Sequence, residues 1–394
     1  MRISGFGRCA LSICAAVAML AGCGGSQPPI GVPGPMSQAP AAHTDRQSPG
    51  LVPSANGEAH KPAAFLYLAQ CCRQIFSNHG NITLYDLGLT GVARTITKGV
   101  SNPFFISVDR AGRIYYTSWL DYLGGVTEYD AGSESPSRRI KLDGARTVAT
   151  DSSNNLYVAL CPTCFEYHSG NSSINVYESG TTTLLRTITK GVDIPLSLAF
   201  DTTGNLYVAD GAYPHPAVTV YAPGSSKPLR KLTKGLTGPS EIAFDPSNNL
   251  FVMNVPANGT QSIIEYEAES DKVLRKITSG VSSPQAIAVD GSGTLYVSNT
   301  PYPSQGWVSV YAPGASTPSY RITSDMHDPQ LLTVDDEGNL YVGNDYYAVA
   351  LDRYETSSGD SGSLCVYAPK AKTALRCVPN EQYSYPYSLA VKPR

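Results

Sequence analysis

The sequence is poor in charge and nowhere gathers charge of one sign. Asp, Glu, Lys and Arg make up 15% of the chain, and the net charge is −3. No cluster of Lys or Arg stands out, so nucleic acid is not expected as a partner, because phosphate binding needs concentrated positive charge. The apolar run Ala10–Leu20 is too short for a membrane-spanning helix, which takes ~20 residues. There is no G-x-S-x-G nucleophile elbow and no H-E-x-x-H zinc motif. Tryptophan occurs only twice, whereas tyrosine occurs 25 times.

The N-terminus holds a targeting pattern. Arg2 and Arg8 give a basic start, and the apolar run ends in Leu20-Ala21-Gly22-Cys23. These four residues resemble a bacterial lipobox. The resemblance implies that residues 1–22 are a signal peptide and that Cys23 is acylated, with palmitate among its chains. Gly24, rather than Asp, implies an outer-membrane destination in a Gram-negative host. Residues 23–62 then carry the lipid and a tether rich in Pro, Gly, Ala and Ser, too poor in apolar surface to offset the entropy of ordering. The expected location is the bacterial cell envelope, outside the cytoplasm, with the membrane reached through the lipid.

Beyond residue 62 one phrase recurs. "DTTGNLYVAD" at 201–210 has relatives at "DRAGRIYYTS" (109), "DSSNNLYVAL" (151), "DPSNNLFVMN" (245), "DGSGTLYVSN" (290) and "DDEGNLYVGN" (335), every 42 to 50 residues. Such a period signals a repeat architecture. Each unit reads as four short strands separated by Gly, Pro and Asn, with no room for a helix. The Asp that begins each phrase can accept backbone N–H groups just ahead of it. Three residues on stands only Gly or Asn, the types that best tolerate positive φ. The phrase therefore predicts a tight hairpin between strands one and two.

Strand two occurs seven times, from "FLYLA" at 65 to "NLYVG" at 339. Strand one also occurs seven times, but its last copy is "YSLAV" at 387–391, near the C-terminus. The first unit lacks a strand one, and the last strand supplies it. Sharing a blade between the two ends closes a ring. The expected fold is all-β: a seven-bladed β-propeller of four-stranded blades over residues 63–394, closed by the C-terminal strand. The stretch "PSEIAFDPSNNLFVMN…SIIEYEAESDKVLRKIT" resembles NHL-type repeats, and more loosely the gluconolactonase-like and streptogramin-lyase-like propellers. The fold that this resemblance implies hosts enzymes, binders and scaffolds alike.

The expected site lies on one face. Loop length varies only between strands two and three, and these loops are rich in Tyr, Asn, Gly and Pro. Around the channel mouth, Arg146 and Glu241 are the only charges at the first positions of strand one. Asp210, Asn254, Asn299 and Asn344 end strand two in four successive blades. Similarity to gluconolactonase-like enzymes would imply a divalent cation such as calcium held by Glu, Asn and Asp oxygens here. Yet the glutamate that those enzymes carry before a Gly-Pro is missing.

Of the nine cysteines, six stand beyond residue 62. Cys161 and Cys164 have redox spacing but no helix to activate a thiol, so a disulfide element is expected; Cys71 and Cys72 stand in the corresponding loop two blades away, and the connectivity of these four stays open. Cys365 and Cys377 should face each other on neighbouring strands and form a disulfide. The leading expectation is a monomeric, non-enzymatic scaffold that needs no cofactor and binds a protein, peptide or glycan through its loop face. The alternative is a metal-dependent lactonase- or lyase-like enzyme acting at the channel mouth.

Overall fold

The computed structural model describes residues 65–72, 80–118, 124–162, 171–211, 215–301, 305–345, 362–379 and 384–392. Among them 28 strands, β1–β28 in chain order, form seven four-stranded antiparallel sheets, with no helix. Six sheets are meanders of four consecutive strands. The seventh runs in the order β28-β1-β2-β3, with β1 at Phe65–Cys72, β2 at Gly80–Asp86, β3 at Val92–Ile96 and β28 at Ser384–Val391. Leu66 pairs with Val391 and Leu68 with Leu389.

The inner strands are β28, β4 (Pro103–Val108), β8 (Ala145–Thr150), β12 (Pro195–Phe200), β16 (Pro239–Phe244), β20 (Pro284–Val289) and β24 (Pro329–Val334). Each touches the next, and β28 touches both β4 and β24. The ring is therefore closed, and the fold is a seven-bladed β-propeller.

The hairpin forms as its residue types dictate. Asp245 Oδ1 accepts the Asn249 N–H at 2.8 Å, and its Oδ2 accepts Asn249 Nδ2 at 2.9 Å. The Asn248 N–H donates to the Asp245 carbonyl at 2.9 Å, and Asn248 sits at φ 68°. Gly204 holds the same place at φ 84° with Asp201 beneath it. A β-branched residue at this position would be strained.

Burial falls outward along each blade. In the blade that begins with β16, the second strand (Leu250–Asn254) and third strand (Ser262–Tyr266) are wholly buried. The fourth, Val273–Ile277, buries fully only its last residue, and Leu274 is exposed. Both faces of the inner strands pack on neighbouring blades, which explains apolar runs where a one-sided sheet would alternate. One cluster joins Tyr207, Val218, Val220 and Leu232 of one blade to Ile242, Val252, Ile264 and Tyr266 of the next.

Hydrogen bonds reinforce these seams. Tyr129, Tyr221, Tyr266, Tyr311 and Tyr367, all on third strands, donate their hydroxyls to the carbonyls of Lys98, Lys190, Lys234, Ser279 and Ser324, at 2.6–2.8 Å. Each acceptor follows the fourth strand of the preceding blade. The close approach needs a small residue: a Cβ on Gly280, at φ 78°, would lie 2.9 Å from Tyr311 Oη.

Candidate functional site

Strands alternate in direction, so the loops between strands two and three and the blade-to-blade crossings leave from the same end of the ring. The hairpins one–two and three–four occupy the other end. At the loop end, the gap runs only from Asp210 to Ala217 in one blade but from Asn344 to Ser363 in another.

The hairpin end spends its polar groups on itself. Arg230 Nη2 donates to Tyr207 Oη at 2.6 Å, and the guanidinium carbon lies 5.8 Å from the ring centroid. Arg186 treats Tyr157 in the same way. Burial pushes the Tyr207 hydroxyl up to about 12, against the opposing pull of Arg230. Glu128 pairs with Arg138 at 2.9 Å, and Glu265 with Arg275. Burial raises both carboxyls, Glu128 and Glu265, and the arginine partners draw them back down.

At the loop end, the polar residues that close strand two hold the crossings. Asp210 accepts the N–H groups of Asp193 and Ile194 at 2.6 and 2.8 Å. Asn254 Oδ1 accepts those of Thr237 and Gly238 at 2.7 and 2.9 Å. Asn299 Oδ1 accepts from Ser282, and Asn344 Oδ1 from His327. Each of these side chains thus serves the crossing that leads into its own blade. Among the described residues, no three His, Cys, Asp or Glu side chains gather as a metal cluster.

The two mouth charges are both buried. Arg146 is 6% exposed, and burial brings its guanidinium down to about 10, still protonated at neutral pH. Glu241 is 1% exposed, and burial holds its carboxyl well above the usual range, opposed by one backbone bond from Ile287. That bond, Ile287 N–H to Glu241 Oε2 at 2.9 Å, crosses from β20 to β16. Ser197 and Thr147 stand at the matching places of β12 and β8. Their hydroxyls and Glu241 Oε1 are buried without a hydrogen-bond partner. The signal was present in the sequence, since all three occupy the same register of strand one, but a register position alone does not reveal an unmet hydrogen bond.

Cys365 and Cys377 pair directly across adjacent strands and form a disulfide, with Cα atoms 4.1 Å apart. Cys161 is also disulfide-bonded, to a sulfur outside the described residues. Cys164, the side chains of Cys71 and Cys72, and Cys23 all lie outside the described residues.

Comparison with solved structures agrees with the ring. One match is a chain of the crystal structure of the mitotic checkpoint complex, at 14% identity and TM-score 0.53, over 68% of this chain and 82% of that one. Another is a chain of Kuenenia stuttgartiensis hydrazine synthase, at 14% identity and TM-score 0.52, over 71% of this chain and 96% of that one. At such identity the likeness is one of fold alone. No protein-family profile and no curated protein matches the sequence.

Proposed function

We propose that this protein is a lipid-anchored, extracytoplasmic binding scaffold whose propeller presents its loop-bearing face to a protein, peptide or glycan. The observation that carries this reading is the contrast between the two ends of the ring. Connections of constant length, closed by their own Asp, Tyr and Arg side chains, form the hairpin end. Connections of widely different length emerge at the other end, between second and third strands that are almost wholly buried. Variable loops on a rigid scaffold are the usual form of a recognition surface. Their Tyr and Asn content suits contacts that combine apolar area with hydrogen bonding.

The N-terminal pattern supports the membrane part. Cys23 would carry the acyl chains, and residues 24–62 would hold the propeller clear of the lipid surface. A single chain binds membranes only marginally, whereas several hold firmly. Fractionation of cells expressing the wild type and Cys23→Ser tests the anchor: the wild type should sediment with membranes and incorporate labelled palmitate, and the variant should do neither. Equal membrane retention of both would refute the anchor without touching the loop-face reading. Glycan and peptide arrays probed with the soluble propeller test the recognition surface directly.

A further inference from the structure

The last three strands of the final blade are β25 (Leu340–Asn344), β26 (Ser363–Tyr367) and β27 (Arg376–Pro379). One register between third and fourth strands sets this blade apart. Elsewhere that register pairs Thr219 with Lys231 and Ser309 with Arg321. It also pairs Asn175 with Thr187, whose hydroxyl donates to Asn175 Oδ1 at 2.9 Å. In the final blade the same register pairs Cys365 with Cys377, and the link is a disulfide.

The two ends of that bond differ in access. Three residues stand in line across the sheet: Val342 of β25 pairs with Cys365, and Cys365 with Cys377. Cys365 is fully buried, in a cluster with Met326, Val342 and Tyr367. Cys377 is exposed, on the outermost strand of its sheet. A thiolate displaces a disulfide sulfur in line, entering opposite the sulfur that leaves, so access decides which sulfur is attacked. For Cys377 this approach opens onto the rim of the ring. For Cys365 it is closed by β25.

The surroundings of Cys365 suit a freed sulfur. Asn344 Nδ2 and Ser363 Oγ each lie 3.7 Å from Cys365 Sγ. Asn344 Nδ2 also donates to Ser363 Oγ at 3.1 Å, which leaves the Ser363 proton for the sulfur. The Asp325 carbonyl lies 3.9 Å from the same sulfur and can accept a thiol proton. A thiolate at Cys365 thus meets two donors, and a thiol meets an acceptor.

We propose that Cys377 is a thiol-exchange site. An incoming thiolate bonds to Cys377 Sγ, the bond to Cys365 breaks, and its electron pair leaves with Cys365, which then takes a proton from solvent. The co-reactant is a thiol, carried by a small molecule or by a protein oxidoreductase. A second thiol of the same kind attacks the incoming sulfur, releases Cys377 as a thiolate and leaves as a disulfide with the first. Two thiols are thereby oxidised and the cysteine pair is reduced. Exchange leaves β27 held to β26 by backbone pairing alone, and β28, the strand that closes the ring, comes next in the chain. The site therefore lies directly before the point of closure.

The test uses the full-length folded protein, incubated in one arm with reduced glutathione and in the other with a thioredoxin that lacks its resolving cysteine. Acid quenching, unfolding, alkylation and peptide mass spectrometry then locate the adduct. It should sit on Cys377, with the alkyl group on Cys365, in at least about tenfold excess over the reverse. An adduct in the first arm alone assigns the exchange to free thiols, and one in the second arm admits an oxidoreductase. The single variants give a second readout: in Cys365→Ser the Cys377 thiol should alkylate in the folded protein, and in Cys377→Ser the Cys365 thiol should alkylate only on unfolding. An adduct mainly on Cys365, an equal division between the two, or no exchange in either arm until urea unfolds the protein would overturn the proposal.

Discussion

Tyr266, on the third strand of one blade, donates its hydroxyl at 2.6 Å to the carbonyl of Lys234, which ends the blade before it. The bond ties two sheets that share no backbone pairing. Phenylalanine at 266 keeps the buried ring and removes only this bond. Tyr266→Phe should therefore lower stability by about 1 kcal/mol, read as a shift of the urea midpoint at unchanged slope. Tyr221→Phe, at the equivalent seam, should add to it nearly independently. Strong coupling between the two would mean that the seams do not act as separate units.

Asn254 is fully buried and spends its oxygen on two backbone N–H groups of the crossing. Asn254→Leu leaves both donors orphaned and should cost about 2–3 kcal/mol. Asn254→Asp should be milder, because Asp210 fills the same slot and accepts the same pair of donors in its own blade. Chemical denaturation of the two variants checks the order. Equal losses would show that the oxygen is not what matters.

The disulfide Cys365–Cys377 closes a span of 12 residues between the last two strands of its blade. Constraining so short a loop should stabilise by about 2–3 kcal/mol. A non-reduced digest should give the two cysteine peptides as one linked species by mass spectrometry, and Cys365→Ala/Cys377→Ala should melt lower than the wild type. Two freely alkylated thiols in the folded, unreduced protein would contradict the pairing.

The C-terminal strand β28 supplies the inner edge of the first blade. Removing residues 384–394 strips β1 of that partner and leaves an open apolar edge. Aggregation or a large fall in melting temperature is expected. A truncated protein that melts with the wild type would mean the ring is not closed by this strand.

Much of this architecture was written in local chemistry. The turn at Asp245 through Asn249 is legible because an Asx acceptor and a residue suited to positive φ appear together in six units. Closure is legible because the first unit lacks a strand one and an extra copy stands near the C-terminus. The Cys365–Cys377 pair follows from a hairpin whose register is constant. What stayed hidden depends on partners from another blade. The Tyr266 hydroxyl meets a main-chain carbonyl, which any residue type could present, so the sequence bears no mark of it. Asp210 and Asn254 stand at the mouth in sequence, but their oxygens turn to the crossing N–H groups, a choice made by backbone geometry. Glu241 was legible as one of two charges at the channel mouth. Its bond to Ile287 was not, because it depends on bulges in two adjoining strands.

The central claim is that recognition belongs to the loop-bearing face, and a comparison of two variants on the same glycan and peptide arrays tests it most directly. In one, residues 346–361 are replaced by the short connection that follows Asp210. In the other, the exposed hairpin-end residues Thr202 and Ser247 become lysine. The account predicts that the first variant loses the wild-type binding pattern and the second retains it. Binding that survives the loop replacement and disappears with Thr202→Lys/Ser247→Lys would contradict it.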